Sequence, residues 1–414
     1  MTVTHQPLSA QERSAVLAAL TDAHTFYHSW LDRSWVPDYL NRRNLYPQIV
    51  PARLGYAPGG WTTTRDHLRR QGYADETLEH AGLVRRTSAG GLVDLFRDRL
   101  MIPLRTPAGT LVGFSGRAAP IADVTTPKYL NSPASDVFVK HELLLGLAED
   151  ADALRAGAMP VIVEGPLDRL AVAQATHALA VVGVTPCGTA LSAQQATALL
   201  KAVGPRRPIA VMFDADPAGR TATRHAWEVL TDASATHLRH ITLPDGKDPA
   251  ELVRNGRGNL LQDAIYRNDP LAEAVADQTL TAASLVGTGS TARAAGTAPQ
   301  RANAAGIAYE EWPLDDWQGR LTAARQLFHQ DLHRLPAGQI AGYVAHVAER
   351  LRLPADMATA AAADAVAAGP SPHGSTAAPR QTGPAPPAPQ HRSDRPATQQ
   401  HCIHRRPSGP VTSW

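Results

Sequence analysis

The chain has 414 residues, with 40 Lys and Arg against 38 Asp and Glu and a formal net charge of +2. This length supports two or three domains with a sizeable core, and a nearly balanced charge means that a nucleic-acid partner is met by local patches rather than a global field. Two cysteines, Cys187 and Cys402, exclude a disulfide framework and a four-cysteine zinc site. No apolar stretch approaches the roughly 20 residues needed to cross a bilayer. The start, Met1-Thr-Val-Thr-His-Gln-Pro, lacks a basic segment followed by an apolar one, so no secretory signal is expected and the expected location is the cytoplasm.

In chain order, residues 9–56 read as helical, with Leu17, Leu20, Phe26, Trp30 and Leu31 recurring near helical spacing and Pro37 and Pro47 as punctuation. Residues 57–92 hold a turn, Ala57-Pro-Gly-Gly60, and two short helical patterns. Leu100-Met-Ile-Pro-Leu104 and Thr110-Leu-Val-Gly-Phe114 flank Thr106-Pro-Ala-Gly109, a hairpin signal. From Met159 the pattern alternates: strand 161–163, helix 168–176, strand 179–184, helix 192–203, strand 209–213, helix 220–230, strand 241–243. Such alternation implies a parallel sheet with right-handed crossovers, which binds ligands outside the carboxyl ends of its strands. Residues 251–281 read as helical, 284–306 as a flexible linker, and 321–333 with 339–352 as an antiparallel helix pair. Ile340, Tyr343, Val344, Val347 and Leu351 form a helical stripe assigned to core. From about residue 357 the chain is rich in Ala, Pro and Gly and is expected to be disordered.

Three of these strands end in carboxylates: Val161-Ile-Val-Glu164-Gly-Pro-Leu-Asp168, Ile209-Ala-Val-Met-Phe-Asp214-Ala-Asp216-Pro-Ala-Gly219-Arg220, and Ile241-Thr-Leu-Pro-Asp245-Gly-Lys-Asp248-Pro249. Carboxylates gathered at neighbouring strand ends repel one another unless a cation sits between them, and the usual one is a hard, oxygen-loving ion such as Mg2+, which serves phosphate chemistry. Taken singly, each cluster has a plainer reading. Asp168 suits the first turn of any helix, Asp214 and Asp216 suit an ordinary turn, and 244–249 is a surface turn. Three together at one sheet edge favour the metal site.

Glu164-Gly-x-x-Asp168 and Asp214-x-Asp216-x-x-Gly-Arg220 resemble the signature motifs of the Toprim domain, shared by bacterial primases, topoisomerases, some nucleases and recombination proteins. Gly188-Thr-Ala190, Phe213-Asp-Ala-Asp-Pro-Ala-Gly-Arg220 and Leu243-Pro-Asp-Gly-Lys-Asp-Pro249 resemble the DnaG-type bacterial primases in particular. Upstream, Leu54-Gly-Tyr-Ala-Pro58, Ala81-Gly-Leu83, Phe96-Arg-Asp-Arg-Leu-Met-Ile-Pro103, Gly113-Phe-Ser-Gly-Arg117, Pro127-Lys-Tyr-Leu-Asn-Ser-Pro133 and Phe138-x-Lys140 are similar to the same family, so the resemblance covers roughly residues 35–255.

The resemblance implies an α/β fold. A mixed α/β amino-terminal subdomain spans 9–150, and a Toprim domain with a parallel sheet flanked by helices spans 158–255. A helical subdomain spans 256–356 with its linker at 284–306, and a disordered tail spans 357–414. It implies a DNA primase, which makes short RNA on a single-stranded DNA template from ribonucleoside triphosphates by Mg2+- or Mn2+-dependent nucleotidyl transfer. By the same match, Glu164, Asp214 and Asp216 hold metal, Asp168 and Asp248 are further ligands or support them, and Glu164 alternatively moves a proton. Arg97, Arg99, Arg117, Lys128, Tyr129 and Lys140 match positions lining the family's template and nucleotide groove, where Arg and Lys suit phosphate contacts that bind backbone without reading sequence. Asn131 and Ser132 are candidates for positioning the strand. The plainer reading of each basic residue is a solvated surface charge, and of Tyr129 a packing residue.

The chain departs from the family in three places. No Cys precedes Cys187, so the amino-terminal zinc ribbon is expected to be missing and no zinc is expected; Cys402 between His401 and His404 is read as chance rather than a metal clip. The helicase-binding domain is not recognisable. Ala250 stands where the family commonly carries Asp, so either one metal site is weakened or Glu251 substitutes. Partners implied are a replicative helicase or a separate zinc-containing protein. The alternative readings are a non-catalytic single-stranded-DNA-binding replication accessory and, behind it, a Toprim nuclease; a topoisomerase is disfavoured because its strand-breaking tyrosine module is not apparent.

Overall fold

The computed structural model describes residues 7–48, 50, 52–176, 180–186, 190–287, 312 and 314–369. The amino-terminal part runs α1 (Ala10–Ser29), α2 (Val36–Asn41), β1 (Gly55–Ala57), α3 (Thr63–Arg70), α4 (Asp75–His80), β2 (Val84–Arg86), β3 (Leu92–Asp94), β4 (Arg99–Arg105), β5 (Leu111–Ala118), β6 (Tyr129–Asn131) and α5 (Ala151–Ala156). A capping box opens α1: the Glu12 amide donates to Ser9 Oγ while Ser9 N donates to Glu12 Oε2. Strands β1, β4, β5 and β6 form one antiparallel sheet in the order β1-β4-β5-β6. The predicted hairpin is its centre, with Leu100 opposite Arg117 and Pro103 opposite Phe114.

The second part runs β7 (Met159–Val163), α6 (Pro166–Ala175), β8 (Val181–Val184), α7 (Ala193–Val203), β9 (Ile209–Met212), α8 (Pro217–Asp232), β10 (Leu238–His240), α9 (Pro249–Arg254), α10 (Gly258–Tyr266) and β11 (Asp269–Pro270). Its sheet has the order β11-β10-β9-β7-β8, with β8, β7, β9 and β10 parallel and β11 antiparallel at the edge. Side chains alternate between the two faces. Ile162, Val184, Ile209 and Val211 enter one core with α7 and α8, while Val161, Val163, Ala210 and Met212 enter another with α6 and α9. That second core also takes Leu100, Ile102 and Leu104 from β4, whereas Met101 faces a third core with α1. Strand β4 therefore lies between two cores and joins the amino-terminal part to the parallel sheet. Burying one Val, Leu or Ile is worth about 1.5–3 kcal/mol, so this shared packing holds the site's two walls firmly against each other.

The remaining helices are α11 (Leu271–Gly287), α12 (Trp317–Asp331), α13 (Ala337–Leu351) and α14 (Ala355–Ala368). The predicted stripe on α13 is core: Tyr343, Val344, Val347 and Leu351 are buried and Ile340 partly so. Among the described residues, no helix is long and apolar enough to cross a membrane.

Four expectations are corrected. Residues 357–368 are not disordered, because α14 packs Ala358, Ala361, Ala362 and Ala365 against the α12–α13 pair; the small side chains that carry no hydrophobic signal in sequence allow close helix contact. The strand expected at 241–243 lies at Leu238–His240, and 241–243 continues as the loop toward Asp248. The helix expected over 251–281 is broken into α9, α10 and α11, with Gly256 at φ +70 and the strand pair at Asp269–Pro270 as breaks. The linker expected from residue 284 begins inside α11, which extends to Gly287. The rest of that linker, the tail from residue 370, Gly188-Thr189, Cys187 and the His401–Cys402–His404 group lie outside the described residues.

Candidate active site

All three acidic clusters sit at the carboxyl edge of the parallel sheet, and one local rule builds each. A strand ends, an extended residue caps the next helix, and proline occupies its first turn. Gly165 with Pro166 opens α6, Asp216 with Pro217 opens α8, and Asp248 with Pro249 opens α9. Asp216 Oδ1 accepts from the Gly219 amide at 2.7 Å, and Asp248 Oδ1 accepts from the Glu251 amide at 2.5 Å. Glu164 Oε1 accepts from the Asp214 amide at 2.9 Å, tying the ends of β7 and β9 together. Its carbonyl accepts from Thr185 Oγ1 at 3.0 Å, and Thr185 in turn pairs with Leu145. Gly219 is required where it stands: a Cβ there would lie 2.0 Å from the Asp214 carbonyl oxygen. Gly219→Ala is therefore expected to cost about 1–3 kcal/mol by overpacking and to displace Asp214. Urea unfolding and ribonucleotide incorporation both read this, and an unchanged midpoint with full incorporation contradicts it.

Glu164, Asp168, Asp214 and Asp248 line one cavity of about 300 Å³. Crowding shows in their protonation. Asp168 is pushed up to about 7, first by burial and then by Asp248, Asp214 and Glu164, against a hydrogen bond from the Ala250 amide. Asp214 is pushed up to about 6 by burial, Glu164, Asp248 and Asp216, with Lys128 opposing. Both folded-state values lie above the unfolded one, so the ion-free protein loses stability as pH rises from about 4 through about 7. In EDTA, the melting temperature is expected to fall between about pH 5 and pH 7.5, and less steeply in Asp168→Asn; equal slopes for the two proteins contradict the coupling.

Oxygen donors held together against their own repulsion are the chemistry that a hard divalent cation satisfies. Among the described residues, no three His, Cys, Asp or Glu side chains stand close enough to share one ion in this conformation. Asp216 is exposed at the rim, close enough to raise Asp214 but committed through Oδ1 to the α8 cap. Ala250 is 3% exposed on the cavity wall and contributes no donor. Glu251 lies on the same wall but is bonded to Lys247 at 2.9 Å and faces Arg254 at 3.6 Å, which holds its carboxyl below the usual range. Its charge is therefore already matched.

Arg117, Lys128 and Tyr129 line the same cavity as the carboxylates. Arg117 Nη1 donates to Tyr129 Oη at 2.7 Å, and its guanidinium lies 5.1 Å from the Tyr129 ring and 5.5 Å from the Tyr39 ring. Two aromatic contacts and a hydrogen bond fix the fork in place. The other predicted basic residues fall elsewhere. Arg99 is 5% exposed, and its Nη1 donates to the Gly116 and Pro127 carbonyls at 2.9 and 3.0 Å. It holds the strand edges and does not line the cavity. Arg97 stacks 4.2 Å from the exposed Trp61 ring and donates to the Asp94 carbonyl. Lys140 begins a short turn against α7, where Gln195 Nε2 reaches its carbonyl at 3.4 Å. Ser132 is also structural, its Oγ accepting from the Phe114 amide at 3.0 Å.

Sequence reasoning missed Arg43, Ser115 and Arg254, which complete the wall. Arg43 stacks 4.9 Å from the Tyr39 ring and carries no motif of its own. Ser115 was accessible from period-two alternation, two residues before Arg117 on β5.

The DNA primase catalytic core, N-terminal domain family matches residues 26–151, and the Toprim-like family matches residues 161–253. A DNA primase of Deinococcus radiodurans is 38% identical over 230 residues, covering 55% of this chain and 39% of that protein. The RNA polymerase domain of Mycobacterium tuberculosis primase DnaG superposes with a TM-score of 0.57 at 30% identity, covering 64% of this chain and 87% of that one. A DnaG primase catalytic domain bound to single-stranded DNA superposes with a TM-score of 0.61 at 27% identity, covering 83% of this chain and 98% of that one. The chain spans about two fifths of the length of the curated relatives it matches. By these family matches and this superposition, the chain belongs to the DnaG-type DNA primase catalytic-core family, with a Toprim domain.

Proposed function

We propose that this protein synthesises short RNA primers on single-stranded DNA by divalent-ion-dependent nucleotidyl transfer, in the cytoplasm where its template is. The observation that carries the reading is the cavity itself, lined by Glu164, Asp168, Asp214 and Asp248 together with Arg43, Arg117, Lys128 and Arg254. A nucleotide carrying phosphates and a divalent ion complements both sets of charges, and its size class suits the volume. In the reaction, a ribose 3′-oxygen bonds to the α-phosphorus of a nucleoside triphosphate while the bond from that phosphorus to the bridging oxygen breaks and pyrophosphate leaves. Glu164, Asp214 and Asp216 would hold Mg2+ or Mn2+ with Asp168 and Asp248 beside them, and the ion supplies charge neutralisation at the attacking and leaving oxygens. Arg117 and Lys128 bind phosphate, and the Tyr39 and Tyr129 rings keep Arg117 oriented. Glu164, held by the Asp214 amide, alternatively receives the hydroxyl proton in place of binding the ion.

A second reading, a single-stranded-DNA-binding accessory without catalysis, is favoured by Ala250 together with the neutralised Glu251. Incorporation of radiolabelled ribonucleotides on single-stranded DNA with Mg2+ or Mn2+ separates the two. Product is expected from the chain alone or with a helicase or zinc-containing partner added. Absence of product under all of these conditions overturns the enzyme reading.

A further inference from the structure

One polar atom on the cavity wall is used neither by the fold nor by the chemistry above. Ser115 is 1% exposed and lines the cavity, and its Oγ has no hydrogen-bond partner in the described structure. Leaving a buried hydroxyl unpaired costs about 1–3 kcal/mol, so such an atom in a cavity wall marks where a ligand supplies the missing partner. Two neighbours, Arg117 and Lys128, identify that ligand. Arg117 is two residues along β5 and points to the same face of the sheet. Arg117 is registered opposite Tyr129, and Ser115 opposite Asn131, so the two side chains lie in one row. Lys128, beside Tyr129, lines the same cavity. A row of guanidinium, ammonium and hydroxyl donors matches successive phosphate oxygens, which only accept hydrogen bonds.

We infer that Ser115 Oγ donates to the polyphosphate tail of the incoming nucleoside triphosphate, one step along β5 from the phosphate held by Arg117. The inference rests on the nucleotide-site reading and adds a specific donor to it. The neighbouring Phe114 amide cannot take this role, because it already donates to Ser132 Oγ.

The test compares wild type with Ser115→Ala in the full chain, titrating ATP and, separately, inorganic tripolyphosphate, each with Mg2+, by calorimetry. Single-stranded-DNA affinity and melting temperature are measured alongside. A charge-assisted hydrogen bond predicts roughly tenfold weaker binding of both ligands. DNA affinity is expected to be unchanged, and Ser115→Ala is expected to melt no lower than wild type, because it removes an unpaired hydroxyl. Wild-type affinity of Ser115→Ala for tripolyphosphate overturns the inference, even if ATP binding weakens, since the hydroxyl then reads sugar or base. A variant that melts lower and loses DNA as well assigns the hydroxyl to the fold and overturns it too. Wild-type protein that binds neither phosphate ligand removes the nucleotide-site reading and this inference together.

Discussion

Asp214→Asn is expected to abolish ribonucleotide incorporation, on the order of 10³-fold or more, while raising the melting temperature of the ion-free protein. The rate term follows from losing one carboxylate of the set proposed to hold the divalent ion, whose neutralisation of transition-state charge would be worth several kcal/mol at about 1.4 kcal/mol per decade. The stability term has the opposite sign. Asp214 is raised to about 6 by burial and by Glu164, Asp248 and Asp216, so its charge is unfavourable in the ion-free fold. Asn keeps the shape and removes the repulsion. Primer synthesis and melting in EDTA, measured on the same preparation, test both. Activity within tenfold of wild type contradicts the assignment of Asp214, and unchanged melting contradicts the electrostatic account of the cavity. Intact replication function in the cell with this variant would instead favour the accessory reading.

Arg224→Ala is expected to be the most destabilising charge deletion outside the site, about 3–5 kcal/mol, because it leaves a buried acid without its cation. Arg224 Nη1 faces Asp331 Oδ1 at 3.4 Å, Tyr343 Oη donates to Asp331 Oδ2 at 2.5 Å, and the Asp331 side chain is 1% exposed. Arg224 lies on α8, whose first residue follows Asp216, while Asp331 and Tyr343 lie on α12 and α13. The network thus fastens the helical part to the helix that presents the second acidic cluster. The double variant Arg224→Met with Asp331→Leu is expected to recover most of the loss, since a buried ion pair contributes little over well-packed apolar groups. Urea unfolding reads both, and a loss below about 1 kcal/mol in Arg224→Ala contradicts the buried-charge argument.

What the sequence made legible divides along physical lines. Strands β7 and β9 were readable because each is a short apolar run followed at once or after one residue by a carboxylate, whereas the mixed run Leu-Arg-His of β10 carries no apolar signal and was placed three residues late. Arg117, Lys128 and Tyr129 are found lining the cavity beside the carboxylates. Arg99 is not, which the sequence does not reveal because a motif gives a residue's position along a strand but not its depth; only the structure shows its guanidinium spent on backbone carbonyls. Glu251 likewise reads as a spare carboxylate until Lys247 and Arg254, one turn away on either side, are seen to neutralise it. Helix α14 was missed because an Ala-rich segment resembles a low-complexity tail, and its burial depends on a tertiary groove. Arg43 was missed because it reaches the cavity from the end of α2, far away in sequence.

The most direct test of the central claim is templated specificity. On a single-stranded oligo(dT) template with Mg2+ or Mn2+, wild-type protein is expected to build an RNase-sensitive product from ATP and none from CTP, and Asp214→Asn to build neither. Equal incorporation of both nucleotides, or product undiminished in Asp214→Asn, would contradict template-directed nucleotidyl transfer at this site.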